Sequence, residues 1–366
     1  MTEYKILKEF IDGKKLKLNF ILSLPRSRST SLQLALSQSS EINGQINLPI
    51  NVGNFSRPHN LNFSFGDFRD DIQDISYEEI SHRINKVIQP LIEKDGTANI
   101  IIHDHLNFLA SKHLTFLLEL SENFILCIRH PRVQFLSYIV RMVNEFLLEE
   151  DVLENTKCFS SKDIIELLTL YSHCPEQLEE RMYQVIRDNE IKIYNKDDIW
   201  YRFTKCESCG NLSLKDLFIK IVLYQQKELE VLWDNAINTF NFLRASKKDI
   251  NIVPVDGDVF AQNPFQVVNN ITSKINIVPP SITQLNNWSK FTGKNFKCYM
   301  PDNPDNSSWN GPSRSSKTIS TANDAVKGYV LEPGNLPQEF SLLFLKAQNI
   351  YQNFFKENYP AVALSR

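Results

Sequence analysis

No run of about 18 consecutive apolar residues occurs in this 366-residue chain, so no segment reads as a membrane-spanning helix. Met1 to Phe10 mixes polar and apolar residues with Lys5 and Lys8, and no long apolar core follows, so no secretory signal is expected. Six cysteines in so long a chain do not make a disulfide scaffold, and a reducing, cytoplasmic setting is the expectation. An excess of one charge is lacking too: 40 Lys and Arg stand against 43 Asp and Glu, a net of −3. That argues against a broad nucleic-acid footprint while leaving room for a small anion site. Internal repeats are absent. What remains is an ordinary globular composition, 42% hydrophobic and 23% charged, able to bury a sizeable core.

The first half alternates apolar strands with amphipathic helices. Leu16 to Leu24 reads as a strand, followed by a turn and a helix from Thr30 to about Ser37. Ser76 and Glu79 make a capping box. Ile80, Ile84, Val87, Ile88 and Leu91 behind it have helical spacing, with Pro90 as a kink and Gly96 as the stop. Asn99 to Ile102 and Phe124 to Ile128 are apolar without alternation, as parallel strands covered on both faces should be. Pro131 opens another helix. The order implies an α/β fold with an open parallel sheet. From about Asn144 to Leu243 the pattern is helical (Ile164 to Leu170, Leu178 to Ile186, Leu214 to Phe242), read as an insertion or cap. Tyr224, Trp233, Phe240 and Phe242 on the last of these are expected in the core. Asn251 to Val255 returns as a strand. Pro301 to Thr321 is a long loop, and Pro337 to about Phe355 a final helix.

The first strand runs into Pro25-Arg26-Ser27-Arg28-Ser29-Thr30. A strand, a polar turn and a helix aim backbone N–H groups and a helix N-terminus at one point, which favours an anion. The hydroxyls and the two arginines add donors and positive charge. The plainer reading is a surface turn with solvated arginines. The turn does not fit G-x-x-x-x-G-K-[ST], so a conventional ATP or GTP loop is not expected, though another phosphate-bearing ligand is. The third strand ends in Ile128-Arg129-His130-Pro131, with Ser137 eight residues after Arg129. Arg129 then sits at a strand's carboxyl end, where open α/β sheets bind ligands, and with Ser137 it can hold a phosphate.

These two segments together resemble the nucleotide-dependent sulfotransferase superfamily. Its first turn, of the Pro-Lys/Arg-Ser-x-[ST]-Thr type, holds the 5′-phosphosulfate of 3′-phosphoadenosine-5′-phosphosulfate (PAPS). Its second signature, a strand-end Arg, a Pro and a Ser eight residues after the Arg, binds the 3′-phosphate. The resemblance spans residues 16 to 140 and continues weakly at Val255-Asp256-Gly257-Asp258 with Pro264. It implies a P-loop NTPase/sulfotransferase type of sheet and a single domain over 1–366, with the helical insertion at about 144–243. Arg26, Ser27, Arg28, Ser29, Thr30, Arg129 and Ser137 would bind the nucleotide. Arg314 and Lys317, in Ser313 to Thr318, stand for the family's basic C-terminal loop. Two departures are visible: Arg28 occupies a position that is often Gly, and Ser31 one that is often Trp.

The base follows from the same resemblance. Ile102-His103-Asp104-His105-Leu106 follows the second strand, where family members have Lys-x-His-Leu, and His105-Leu106 matches. Histidine can be neutral near pH 7, as a base must be. His103, at the lysine position, Asp104 and Glu41 are alternatives; a capped helix start is the structural reading of the same cluster. Arg26 would stabilise the charge that gathers during transfer. The implied activity moves a sulfuryl group from PAPS to a small acceptor by in-line displacement, with 3′,5′-adenosine bisphosphate as product and no metal assigned. A non-catalytic relative that binds a nucleotide or partner, and a small-molecule kinase, are the competing readings. Cys206 and Cys209 form half of a zinc knuckle, with Cys158, His173 and Cys174 as further ligands to consider. Trp288 and Trp309 flank the late loop as candidates for an adenine or acceptor site. The charge runs Asp67 to Asp74 and Lys247 to Asp249 read as solvated turns.

Overall fold

The computed structural model describes residues 2–50, 75–106, 109, 111–148, 157–193, 213–246, 249–286, 295–298 and 329–358. Six strands are present: β1 (Leu16–Ser23), β2 (Gly44–Asn47), β3 (Ala98–His105), β4 (Asn123–Ile128), β5 (Asn251–Asp256) and β6 (Asn295–Cys298). They form one sheet in the order β5-β4-β1-β3-β2-β6, and every pairing is parallel. The expected α/β class with an open parallel sheet is therefore what the chain adopts. Because all strands run one way, Ser23, Asn47, His105, Ile128 and Asp256 lie together at the carboxyl edge. That is where such sheets bind ligands.

β2 and β6 have no counterpart among the strands read from the sequence. Each is four residues long, too short for a periodic signal. β3 also runs further than expected. His103, Asp104 and His105 belong to the strand rather than to the turn after it, and pair in register with Ile21, Leu22 and Ser23 of β1. Three consecutive polar residues at a strand end hide the strand, since only the apolar run is visible in the sequence.

Described separately, the chain forms two compact units. The first, drawn from Met1–Asn54, Ile72–Arg129 and Asp234–Lys327, holds the sheet. One face of the sheet, Ile21, Ile101, Ile125 and Val253, is buried with Leu32 and Ala35 of α2 (Ser29–Ser37) and with Val268 and Ile271 from Pro264–Lys274. The period of two turns Phe20 and Phe124 to the other face, where their rings stack at 5.8 Å. The helix Tyr77–Asp95, α3, buries Ile80, Ile84, Val87, Ile88 and Leu91 as its spacing predicted, contains Pro90 and stops at Gly96, whose φ is 75°. Ser76 Oγ accepts from the Glu79 N–H, one half of the expected box, while the Glu79 carboxylate bonds Arg83.

The second unit, drawn from Phe55–Asp71, His130–Trp233 and Gly328–Arg366, is helical. Its helices include α4 (Pro131–Leu147), α5 (Ser161–His173), α6 (Leu178–Asp188) and the terminal α7 (Gln338–Asn358). Phe135 is the hub of its core, with rings of Trp233, Phe340 and Phe344 within 6.4 Å. Trp233 is fully buried, as its helical spacing suggested, and its indole N–H donates to Gln134 Oε1 at 3.0 Å. The long helix Leu214–Ala245 carries Trp233. No helix among the described residues is long and apolar enough to cross a membrane.

Candidate functional site

Between β1 and α2 the chain makes a tight loop from Leu24 to Arg28. Its anchors are backbone bonds, Leu24 N–H to Cys127 O at 3.2 Å and Ser27 N–H to Leu24 O at 3.3 Å. Arg26 and Arg28 both sit in the left-handed region, at φ 65° and 66°. That region costs a non-glycine residue about 1–2 kcal/mol. The turn needs a positive φ at position 28, and here arginine supplies it.

Arg28 is also the N-cap of α2, and it makes no side-chain cap bond. A guanidinium has no acceptor to offer. The first-turn N–H groups of α2, which Ser, Thr, Asn or Asp usually satisfies at this position, thus keep their capacity for an external anion. Ser27 Oγ is buried with no hydrogen-bond partner among the described residues. Arg26 is exposed at the loop tip and Thr30 half-buried behind it. An orphaned buried hydroxyl, uncapped amides and two cations on seven residues of chain fit a phosphate-like or sulfuryl group.

A second layer holds the loop. Asp256 ends β5 and caps the next helix, Gly257–Gln262, accepting from the N–H groups of Asp258 at 2.6 Å and Val259 at 3.3 Å. This aims the Asp258 carboxylate at the loop. Asp258 Oδ1 accepts from Arg129 Nε at 2.7 Å and lies 3.8 Å from Arg28 Nε. Arg129 in turn donates to the Arg26 carbonyl at 3.4 Å. Burial, followed by the charge of Arg129, lowers Arg28 to about 10, so it stays cationic at neutral pH. Burial pushes the Cys127 thiol up to about 12, which keeps it protonated to donate to the Ser27 carbonyl at 3.3 Å. Gly257 lies against the same carbonyl: a Cβ there would stand 2.1 Å from Ser27 O. The weak acidic motif at 255–258 therefore marks the brace of the loop.

Beside the loop, across the β1–β3 pairing, lies a histidine cluster. Ser23 Oγ is 2.9 Å from His103 Nε2 and 3.1 Å from His105 Nδ1. His103 Nδ1 is 2.5 Å from Asn47 Oδ1. Ser23, Asn47 and His103 are buried, while His105 is half-buried and thus the member nearest solvent. Burial lowers His105 to about 4 and, with the charge of His105 as the second cause, holds His103 well below the ordinary imidazole range. Both are neutral at pH 7. Ser23, His103 and Asn47 have the connectivity of an activated nucleophile, but a serine hydroxyl with no exposure meets no substrate. Asp104 has both oxygens committed to backbone, accepting from Ile50 N–H and His105 N–H at 2.8 Å each. Burial raises it to about 7 against those bonds.

Glu41 precedes β2 and so lies at the opposite, amino edge, where its carboxylate accepts from Val278 N–H at 2.8 Å. Ser137 is on α4 in the second unit, half-buried. His130 caps that helix, its Nδ1 accepting from Arg132 N–H at 3.2 Å, with Pro131 at the first helical position. Arg314 and Lys317, the pair Cys206 and Cys209, Trp288, Trp309 and Asp67 to Asp74 lie outside the described residues. Among the described residues no group of three His, Cys, Asp or Glu could hold a metal ion. Ser23 and Asn47 were not visible as site residues from sequence. The available signal for Ser23 was a polar residue closing the apolar run Phe20 to Leu22, and the four-residue β2 gave none for Asn47.

No protein-family model matches the chain, and no curated protein does. Among solved structures, the sulfotransferase domain from the Synechococcus PCC 7002 olefin synthase aligns over 90% of this chain and 94% of its own, at 15% identity and a TM-score of 0.37.

Proposed function

We propose that this protein is a sulfotransferase that moves a sulfuryl group from PAPS to a hydroxyl or amine of a small acceptor. The observation that carries the reading is a donor-rich, cationic loop beside a neutral imidazole. Ser23, the residue that leads into the loop, pairs in register with His105. One edge of the sheet thus offers anion binding and proton acceptance on adjacent strands.

In this reading Ser27, Ser29, Thr30 and the first-turn amides of α2 bind the 5′-phosphosulfate, and Arg26 and Arg28 balance its charge. Arg129 and Ser137 take the 3′-phosphate, joined by Arg314 and Lys317 from the late loop. The nucleotide supplies an activated sulfuryl group on a good leaving group. His105 accepts the proton of the acceptor as its oxygen or nitrogen bonds to sulfur and the bridging S–O bond breaks. Arg26, exposed at the loop tip, offsets the charge that grows on the bridging oxygen. The chain is then one sulfotransferase-like domain with a helical insertion at about 144–243.

Calorimetric titration with 3′,5′-adenosine bisphosphate, with ADP and ATP as controls, tests this. Selective binding of the bisphosphate is expected. No binding, or preference for ATP, would overturn the proposal in favour of a kinase or an interaction module.

A further inference from the structure

We infer that Asn47, His103 and Ser23 form a hydrogen-bond relay that fixes the tautomer of His105, with its proton on Nδ1 and its lone pair on Nε2. The inference builds on the role of His105 as the base, and it concerns three residues that need not touch either substrate.

The direction of the relay follows from counting hydrogens. Asn47 Oδ1 can only accept, so His103 Nδ1, 2.5 Å away, carries a proton. His103 is buried and neutral, so its Nε2 has none and accepts from Ser23 Oγ at 2.9 Å. Ser23 has a single hydroxyl hydrogen, and that bond uses it. The 3.1 Å contact between Ser23 Oγ and His105 Nδ1 must then be filled by a proton on the imidazole. In that tautomer the Nε2 of His105 carries the lone pair; the imidazole also donates to the Ser23 carbonyl, on the same residue of the relay. A base whose tautomer is wrong presents N–H where a lone pair is required, so the relay determines whether His105 can act at all.

The fold builds this chain from strand register rather than from loops. Asn47 is paired with His103 across β2–β3, and Ser23 with His105 across β1–β3. Three adjacent strands each contribute at their carboxyl ends, which sets the four polar groups rigidly. A cluster present only for packing would need no particular polarity. Four polar side chains in line at a sheet edge, three of them buried, are costly unless each bond is made.

The test is long-range proton–nitrogen correlation NMR of histidine-labelled protein near pH 7, with the seven histidines sorted by a His105→Gln variant. In the unaltered protein, the His105 signals should show a protonated Nδ1 and an unprotonated Nε2. Asn47→Ala frees His103 to carry its proton on Nε2, which reverses the relay and moves the His105 proton to Nε2, three hydrogen bonds along the relay from the substitution. Ser23→Ala should also release the Nδ1–H form, and Ser23→Thr, which keeps the hydroxyl, should restore it. An unprotonated Nδ1 in the unaltered protein overturns the inference whether or not any variant folds. An unchanged His105 pattern in Asn47→Ala and Ser23→Ala overturns it too. No substrate is present, so the result stands apart from the proposed activity. A correct tautomer with turnover surviving His105→Ala defeats the base assignment alone. A wrong tautomer with turnover lost defeats the relay alone.

Discussion

Replacing Gly257 by alanine is the sharpest probe of the loop. The glycine does not have a positive φ, so alanine carries no backbone strain and the effect is one of space alone. The new Cβ would lie 2.1 Å from the Ser27 carbonyl oxygen and 2.9 Å from its carbon. Both are backbone atoms, so relief requires the loop or the start of the following helix to shift by roughly 1 Å, an overpacking that costs about 1–3 kcal/mol. Ser27 cannot retreat freely, since its carbonyl also receives the Cys127 thiol and its buried hydroxyl is within the same turn. A displacement of about 1 Å at a binding turn can cost on the order of 100-fold in activity. Gly257→Ala should therefore weaken 3′,5′-adenosine bisphosphate binding by about tenfold or more in calorimetry, and lower the unfolding midpoint in urea. If Gly257→Ala binds and unfolds as the parent does, Gly257 does not brace the loop and the reasoning from contact fails.

Four further outcomes are expected. Asp258→Asn removes the carboxylate facing two guanidiniums and should destabilise the fold by about 3–5 kcal/mol in urea unfolding; a loss under about 1 kcal/mol would show that the network is not a buried ion pair. Arg129→Ala should weaken the bisphosphate by about tenfold more than a nucleotide lacking the 3′-phosphate; equal weakening would leave Arg129 as a brace of Asp258 only. His105→Ala should lower turnover by about 10²–10⁴-fold while leaving nucleotide affinity near that of the parent, and retained turnover would remove it as the base. For pH, the depressed His103 and His105 bind protons in the unfolded chain first, so their contribution to stability is lost as pH falls below 6.5, for His105 toward about 4. Asp104, raised to about 7, works against them, since its contribution is present below its ordinary 3.8 and lost as pH rises toward 7. The net is about one proton more in the unfolded state, so stability should rise with pH across that window, and Asp104→Asn should roughly double the slope; an unchanged slope would refute the assignment.

The loop and the strands around it were legible because they are local: an apolar run, then Pro-Arg-Ser-Arg-Ser-Thr, then a helix. Arg129 at the end of β4 was legible for the same reason. What was not legible depends on pairing. Asn47 lies on a four-residue strand with no periodicity, and its meeting with His103 is decided by the β2–β3 register. The same holds for Ser23 and His105. Asp258 was visible as part of an acidic motif, but its partners are 129 and 230 positions away in the chain, and only the sheet order β5-β4-β1 brings them together. The extension of β3 through His105 was hidden because polar residues at a buried edge look like a turn.

The two arginines of the loop clarify why such a turn persists without glycine. At φ near 65° each carries backbone strain, and Arg28 adds a second penalty, since it is desolvated beside Arg129. Against this stand two carboxylates: Asp258, whose Oδ1 lies 2.7 Å from Arg129 and 3.8 Å from Arg28, and Asp256, whose charge also favours the Arg28 cation. Two guanidiniums against two carboxylates come close to balance, and Arg26 at the tip makes the site net positive. A sequence selected for stability alone would place glycine or asparagine at position 28, which is both the left-handed position and the N-cap of α2. Arginine gives up both advantages and gains only charge, aimed at the amides of a helix start. Under the proposed function, the strain is the cost of concentrating positive charge where a multiply charged anion is held.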